Sequence, residues 1–244
     1  MRTLFIDYGN FLFKYRNAFF PAVLAVLFVL FKPLPFMGNV NTDVLMDIAG
    51  ILVILAGQGI RTAVIGLAYI KRGGVNKKIY ADALVTTGLF AHCRNPLYAG
   101  NLLILAGLLL IFNNPWVYLA GGGFFVISYA AIVHAEECYL LQKFGNEYQE
   151  YCARVNRWTF MAKGMRATLK SMEFKWLRVI SKDYTTMLTW IVTVILVLNL
   201  EHVHFHGLQN SYRYAVHSAL IIGAAGLLAG LVSGLKKHGR LLKN

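Results

Sequence analysis

The sequence predicts an all-α, polytopic helical membrane protein with about six transmembrane helices. Three observations carry that reading. The 244 residues are 57% hydrophobic and only 14% charged, with a mean hydropathy of +0.54, a balance too apolar for a soluble domain. The apolar residues fall in long runs separated by short polar turns. And the basic residues are distributed so unevenly between those turns that one side of a six-span arrangement takes all 24 lysines and arginines except Lys32, Arg61 and Arg213. That asymmetry predicts both termini on the cytoplasmic side. It also accounts for the net charge of +13 through anionic lipid headgroups, so no nucleic-acid partner is expected.

A span needs roughly 20 mostly apolar residues. The candidates are about 19–31, 44–70, 97–112, 116–134, 184–200 and 214–235, the first and third being short. Ahead of the first, residues 4–20 hold seven aromatics around Lys14 and Arg16, which suits an interfacial segment. No cleavable leader is expected, because no small-residue cleavage site precedes the first apolar run. Lys32-Pro33-Leu34-Pro35 ends that run on the outer side.

The second span carries Gln58 and Arg61 on one helix face. An arginine inside a membrane is costly, so it should face a cavity or a partner; pairing with a buried carboxylate is the structural alternative. Beyond the basic loop of Lys71, Arg72, Lys77 and Lys78 comes the polar stretch 87–100, T-G-L-F-A-H-C-R-N-P-L-Y-A-G. Asn95-Pro96 reads as a helix start, since proline fits the first helical position. Its free N–H groups, with Arg94 beside them, make a site for an anionic group. Asn113-Asn114-Pro115 is a tight outer turn, so the third and fourth spans form a hairpin, and Gly121-Gly122-Gly123 in the fourth is expected to allow close helix approach.

The fourth span runs out into His134-Ala135-Glu136-Glu137. Adjacent glutamates on a helix point about 100° apart and can serve different partners. Tyr148, Tyr151 and Val155 then recur on one face of a short helix with Arg154 next to it. Residues 165–180 place Met165, Leu169, Met172, Trp176, Val179 and Ile180 on one stripe, as in an amphipathic helix lying on the inner leaflet. The turn joining the last two spans holds Glu201-His202-Val203-His204-Phe205-His206, read as interfacial histidines rather than a metal site. Cys93, Cys138 and Cys152 are scattered on the cytoplasmic side without a C-x-x-C, so neither a disulfide framework nor a zinc site is indicated.

Two half-motifs stand together on the cytoplasmic side: G-L-F-A-H-C-R-N-P-L-Y-A-G and H-A-E-E-C-Y-L-L-Q-K-F-G-N-E-Y-Q-E-Y-C-A-R-V-N-R-W. In this order, with a helical hairpin between, they resemble the isoprenylcysteine carboxyl methyltransferase family, and the paired glutamates resemble those of the phospholipid N-methyltransferases. The resemblance covers about residues 58–158. The chain departs from it at Asn95, where the family has histidine in R-H-P, and at Asn156, where it has proline in V-P-R. The last two spans have no counterpart in it. This divides the chain into a membrane methyltransferase core, 1–163, and a segment 164–244 with an interfacial helix and two additional spans.

The resemblance implies an S-adenosylmethionine-dependent methyl transfer at the cytoplasmic membrane face, to a lipid or isoprenoid-linked carboxylate, amine or thiol entering from the bilayer. The membrane would be the inner membrane of a prokaryote or the endoplasmic reticulum of a eukaryote. Arg94, with the helix start at Asn95, Pro96 and Leu97, would form the anion site for the donor's carboxylate, Glu136 would take its amino group, and Gly88 would belong to the same cofactor-binding set. Tyr98, Tyr148 and Tyr151 would wall the adenosine, with Arg154 beside them. Arg61 and Glu137 would face the acceptor, one holding an anionic group and the other orienting or deprotonating it. No metal is expected. The rival readings are an NADPH-dependent, sterol-reductase-like enzyme and a non-enzymatic membrane scaffold or transporter subunit.

Overall fold

The computed structural model describes residues 2–67, 72–75 and 78–238. Lys71, Lys77, Arg240 and Lys243, and the end of the second expected span, lie outside the described residues. The chain is a helical bundle: α1 (Arg2–Leu30), α2 (Val40–Leu67), α3 (Pro96–Phe112), α4 (Pro115–Phe144), α5 (Asn146–Arg154), α6 (Met165–Lys170), α7 (Trp176–His206) and α8 (Leu208–Lys237). Helices α1, α2, α4, α7 and α8 are long and apolar enough to cross a membrane. With the shorter apolar α3 they occupy the six expected spans, and the chain is an integral membrane protein. One antiparallel hairpin, β1 (Arg72–Val75) and β2 (Lys78–Ala81), was not foreseen from sequence.

One expectation about the first span changes. Residues 4–20 are not a separate interfacial segment: α1 is continuous from Arg2 and tolerates Pro21. Its aromatics pack across the bundle instead. Phe20 meets Phe125 and Tyr129 edge-on at 5.3 and 5.4 Å, and the Tyr8 hydroxyl pairs with Ser128 Oγ at 3.2 Å.

Helices α2 and α3 form the tightest pair in the bundle. Glycines seven apart on each helix permit it. A Cβ on Gly57 would stand 2.6 Å from the Gly100 carbonyl, and one on Gly50 2.7 Å from the Gly107 carbonyl. The expectation for the triple glycine holds at Gly121 alone, where a Cβ would stand 3.1 Å from Leu27 of α1 and 3.3 Å from Leu109 of α3; one on Gly122 or Gly123 would meet nothing within 4 Å. Those residues border a π-bulge, Tyr118–Gly122, in α4. The outer turn is as expected: Asn113 takes a left-handed conformation (φ 44°) and Asn114 caps α4, accepting from Trp116 N at 2.8 Å.

The amphipathic helix over 165–180 is broken in two. Lys175 N donates to the Gly66 carbonyl at 3.0 Å, and Met172 packs on the cluster of Val64, Leu89 and Phe90. These tertiary contacts take 171–175 out of the helix and dock this part of the chain on the end of α2. The histidine-bearing turn is likewise helical: α7 runs on to His206, and Gly207 (φ 81°) makes the break before α8. Helix α8 packs mainly against α7.

Candidate active site

At the basic end of the bundle, residues 88–98, the end of α4 and the segment after α5 fold onto one another. Gly88 opens the turn with φ 63°, which favours glycine, and a 3-10 turn over Gly88–Ala91 follows. Pro96 takes the first position of α3, as the sequence predicts, but Asn95 does not cap it. The Asn95 amide is diverted: its Nδ2 donates to the Arg157 carbonyl at 3.2 Å and to Glu137 Oε1 at 3.4 Å. The helix start is therefore left without a side-chain cap, while the side chain next to it links the two half-motifs.

More bonds join these segments. Arg94 N donates to the Asn156 carbonyl at 2.9 Å, and Met161 N to the His92 carbonyl at 3.0 Å. The buried His92 ring spans the fold, Nδ1 donating to the Met161 carbonyl and Nε2 pairing with the Thr168 hydroxyl, both at 2.9 Å. Tyr151 donates to the Phe90 carbonyl at 2.7 Å. Tyr148 and Tyr151 are buried in a cluster with Ala81, Leu140 and Val155, and so brace the site from behind.

The adjacent glutamates diverge. Glu137 receives an ion pair from Arg157 through Oε2 and lies 3.7 Å from Arg94 Nη1 through Oε1. Glu136 Oε1 accepts from the Tyr98 hydroxyl at 2.7 Å, and that hydroxyl accepts from Arg16 Nη1 at 3.0 Å. Arg94 and Arg157 each keep a buried Nε without a hydrogen-bond partner among the described residues. Burial works against the Arg94 charge, but the neighbouring Glu137, with Cys152 and Tyr148, more than offsets it, so its pKa is raised. The buried Cys93 thiol is pushed up, chiefly by desolvation.

Arg61 stands apart from this cluster. It pairs with Asp183 of α7 and bonds Asn101 and Thr186, while Gln58 Nε2 reaches the same Asp183 at 2.7 Å. Both readings of Arg61 are met: it pairs with a buried carboxylate and also lines a cavity. Arg154 also lies outside: it is exposed and its Nε bonds the Glu150 carbonyl of its own helix. Arg157, three residues on, is the arginine that reaches Glu137. The V-N-R tripeptide pointed at it; His92 lies inside the first half-motif with no role assigned, and nothing in the sequence marked Arg16 or Asp183 for the site.

A cavity of about 640 Å³ opens within the apolar bundle between α1, α3, α4 and α7. Arg16, Asn17, Arg61, Asn101, Tyr129 and Thr186 line its polar part, and Leu24, Phe28, Leu108, Val197 and Leu200 its apolar part. Arg16 and Tyr98 connect that polar part to Glu136, on the same helical turn as the arginine-clamped Glu137.

Residues 45–147 match the phospholipid methyltransferase family. The matched stretch holds Arg61, the R-N-P turn and both glutamates, and leaves out Arg16, Arg157 and the α7–α8 hairpin. This is a family of membrane methyltransferases acting on lipids, in agreement with the resemblance read from the two half-motifs. No curated protein and no solved structure matches the chain.

Proposed function

We propose that the chain is an S-adenosylmethionine-dependent methyltransferase that acts at the cytoplasmic face on a lipid or isoprenoid-linked acceptor. The observation that carries this is the divergence of Glu136 and Glu137, one directed to an arginine-rich polar site and the other to the head of a membrane cavity. The polar site suits the donor. An uncapped helix start and the two buried, unpartnered arginine Nε atoms favour a carboxylate, and Glu137 offers a counter-charge for an amino group. Gly88, Asn95, Pro96 and Leu97 shape that site, with Tyr148 and Tyr151 behind it. S-adenosylmethionine would supply an already activated sulfonium methyl group.

The chain's own task is then alignment and exclusion of water. The apolar part of the cavity holds the tail of the acceptor, while Arg16, Tyr98 and Glu136 position its reacting group. This exchanges the roles expected for the two glutamates: Glu137 serves the donor, and Glu136 orients or deprotonates the acceptor. Arg61, neutralised by Asp183, contributes a polar wall and holds α7 in place. The core 1–163 carries the polar site, and 164–244 closes the cavity through α7.

Radiolabelled methyl donor, purified protein and membrane lipid extract test the reading together. Label should enter the organic-soluble fraction with wild type and fall at least about a hundredfold with Glu136→Gln. Incorporation unchanged by that substitution would remove Glu136 from the reaction.

A further inference from the structure

Three carboxylates converge at the opposite end of the bundle, where α2 begins and α7 ends. Asp43, Asp47 and Glu201 each place an oxygen within 4.8 Å of the others. Asp43 and Asp47 are one helical turn apart on one face of α2, and Glu201 comes from α7. Asp43 and Glu201 are only 5% and 4% exposed. Asp43 Oδ1 accepts from Phe36 N at 2.9 Å and Asn113 Nδ2 at 3.4 Å. Asp47 Oδ1 and Glu201 Oε1, by contrast, are buried and face each other, with no hydrogen-bond partner outside the cluster among the described residues. None of the ion pairs among the described residues reaches the cluster. Glu201 also lies near the C-terminal, electronegative end of its helix, where a carboxylate is least favoured.

Unpaired buried carboxylates this close need a positive charge or a shared proton. The neighbouring histidine does not supply one: His202 Nδ1 faces Ser211 Oγ at 2.8 Å, and its ring stacks on Tyr214 at 4.6 Å. We propose that Asp43, Asp47 and Glu201 bind a hard divalent cation of the calcium class. Oxygen ligands sit about 2.3–2.6 Å from such an ion, so two of them lie at most about 5 Å apart; for magnesium, at about 2.0–2.1 Å, the limit is nearer 4 Å. Oxygens within 4.8 Å of one another are all in reach of the larger ion. Two ligands come from the start of α2, Asp47 within the family-matched stretch and Asp43 just before it, and one from α7, so the ion would staple the C-terminal hairpin to the core at the end away from the Arg61–Asp183 pair. The site is independent of the proposed methyl transfer.

The test is the thermal midpoint of the full-length, detergent-purified protein after chelator treatment, near neutral pH, titrated with calcium, magnesium or sodium chloride at matched ionic strength. Calcium should raise the midpoint by several degrees in a saturable manner, with magnesium weaker and sodium inert. Glu201→Gln and Asp47→Asn should each weaken the response at least about tenfold, whereas Glu150→Gln, on the surface of α5, should leave it intact. Glutamine is isosteric and removes repulsion, so Glu201→Gln should fold without the ion. No saturable shift in wild type, with Glu201→Gln more stable than wild type in chelator, would mean that the carboxylates share a proton and would overturn the proposal. A calcium shift that survives both substitutions would overturn it too.

Discussion

Replacing Asp183 with leucine should cost the protein far more stability than a surface change, and a second substitution should restore most of it. Asp183 is fully buried and accepts from Arg61 and from Gln58 at 2.7 Å. Its loss leaves an almost buried guanidinium without a counter-charge and removes the shorter of the Gln58 amide's two acceptors, leaving Thr62 Oγ1 at 3.2 Å. Breaking such a pair from one side costs about 3–5 kcal/mol. At roughly 2–4 °C per kcal/mol for a chain of this size, the midpoint should fall by about 10 °C. Replacing Arg61 with methionine in the same chain removes the stranded charge, and apolar replacement of a whole buried pair is often near neutral. The double variant should therefore be more stable than Asp183→Leu alone. Scanning fluorimetry in detergent reads all four corners of the cycle. A single-variant cost below about 1 kcal/mol, or a double variant no better than Asp183→Leu, would refute the pairing as the link between α2 and α7.

Other outcomes follow from the same geometry. Gly57→Leu should unfold or strongly destabilise the protein, since its first side-chain carbon would sit 2.6 Å from the Gly100 carbonyl; Gly122→Leu, which would meet nothing within 4 Å, should leave the midpoint within a few degrees. Arg157→Ala should weaken cofactor affinity roughly tenfold or more, while Arg154→Ala should change it less than twofold, as read by calorimetry. Cys93 should resist maleimide labelling in the folded protein while Cys138 and Cys152 react, because Cys93 is buried and its pKa is raised. The sign follows: a raised thiol pKa adds stability below the unfolded value of about 8.5, and that contribution is lost as pH rises through the folded value. Cys93→Ala should therefore flatten the alkaline fall in midpoint.

The bundle was legible because its signals are local. Apolar runs, the Asn95-Pro96 helix start and the Asn113-Asn114-Pro115 turn each act within a few residues, and all three appear where expected. Failures came where a distant contact decides the outcome. The stripe over 165–180 has helical periodicity, yet Lys175 bonds Gly66 and the helix breaks. The tight glycines are seven apart on two helices, while two of the conspicuous triple glycine, Gly122 and Gly123, face open space. In the candidate site, the structure brings together the turn and the glutamates that the motifs named. Which carboxylate meets which cation depends on side-chain direction across four segments, and Arg16 lies 82 residues from the tyrosine it bonds.

A donor site built around Glu137 is tested by titrating S-adenosylmethionine and NADPH calorimetrically into the purified wild type and Glu137→Gln. Wild type should bind S-adenosylmethionine at micromolar concentration, Glu137→Gln should lose at least roughly tenfold at an unchanged circular dichroism spectrum, and NADPH should not bind. Binding of NADPH alone, or S-adenosylmethionine binding indifferent to Glu137, would contradict it.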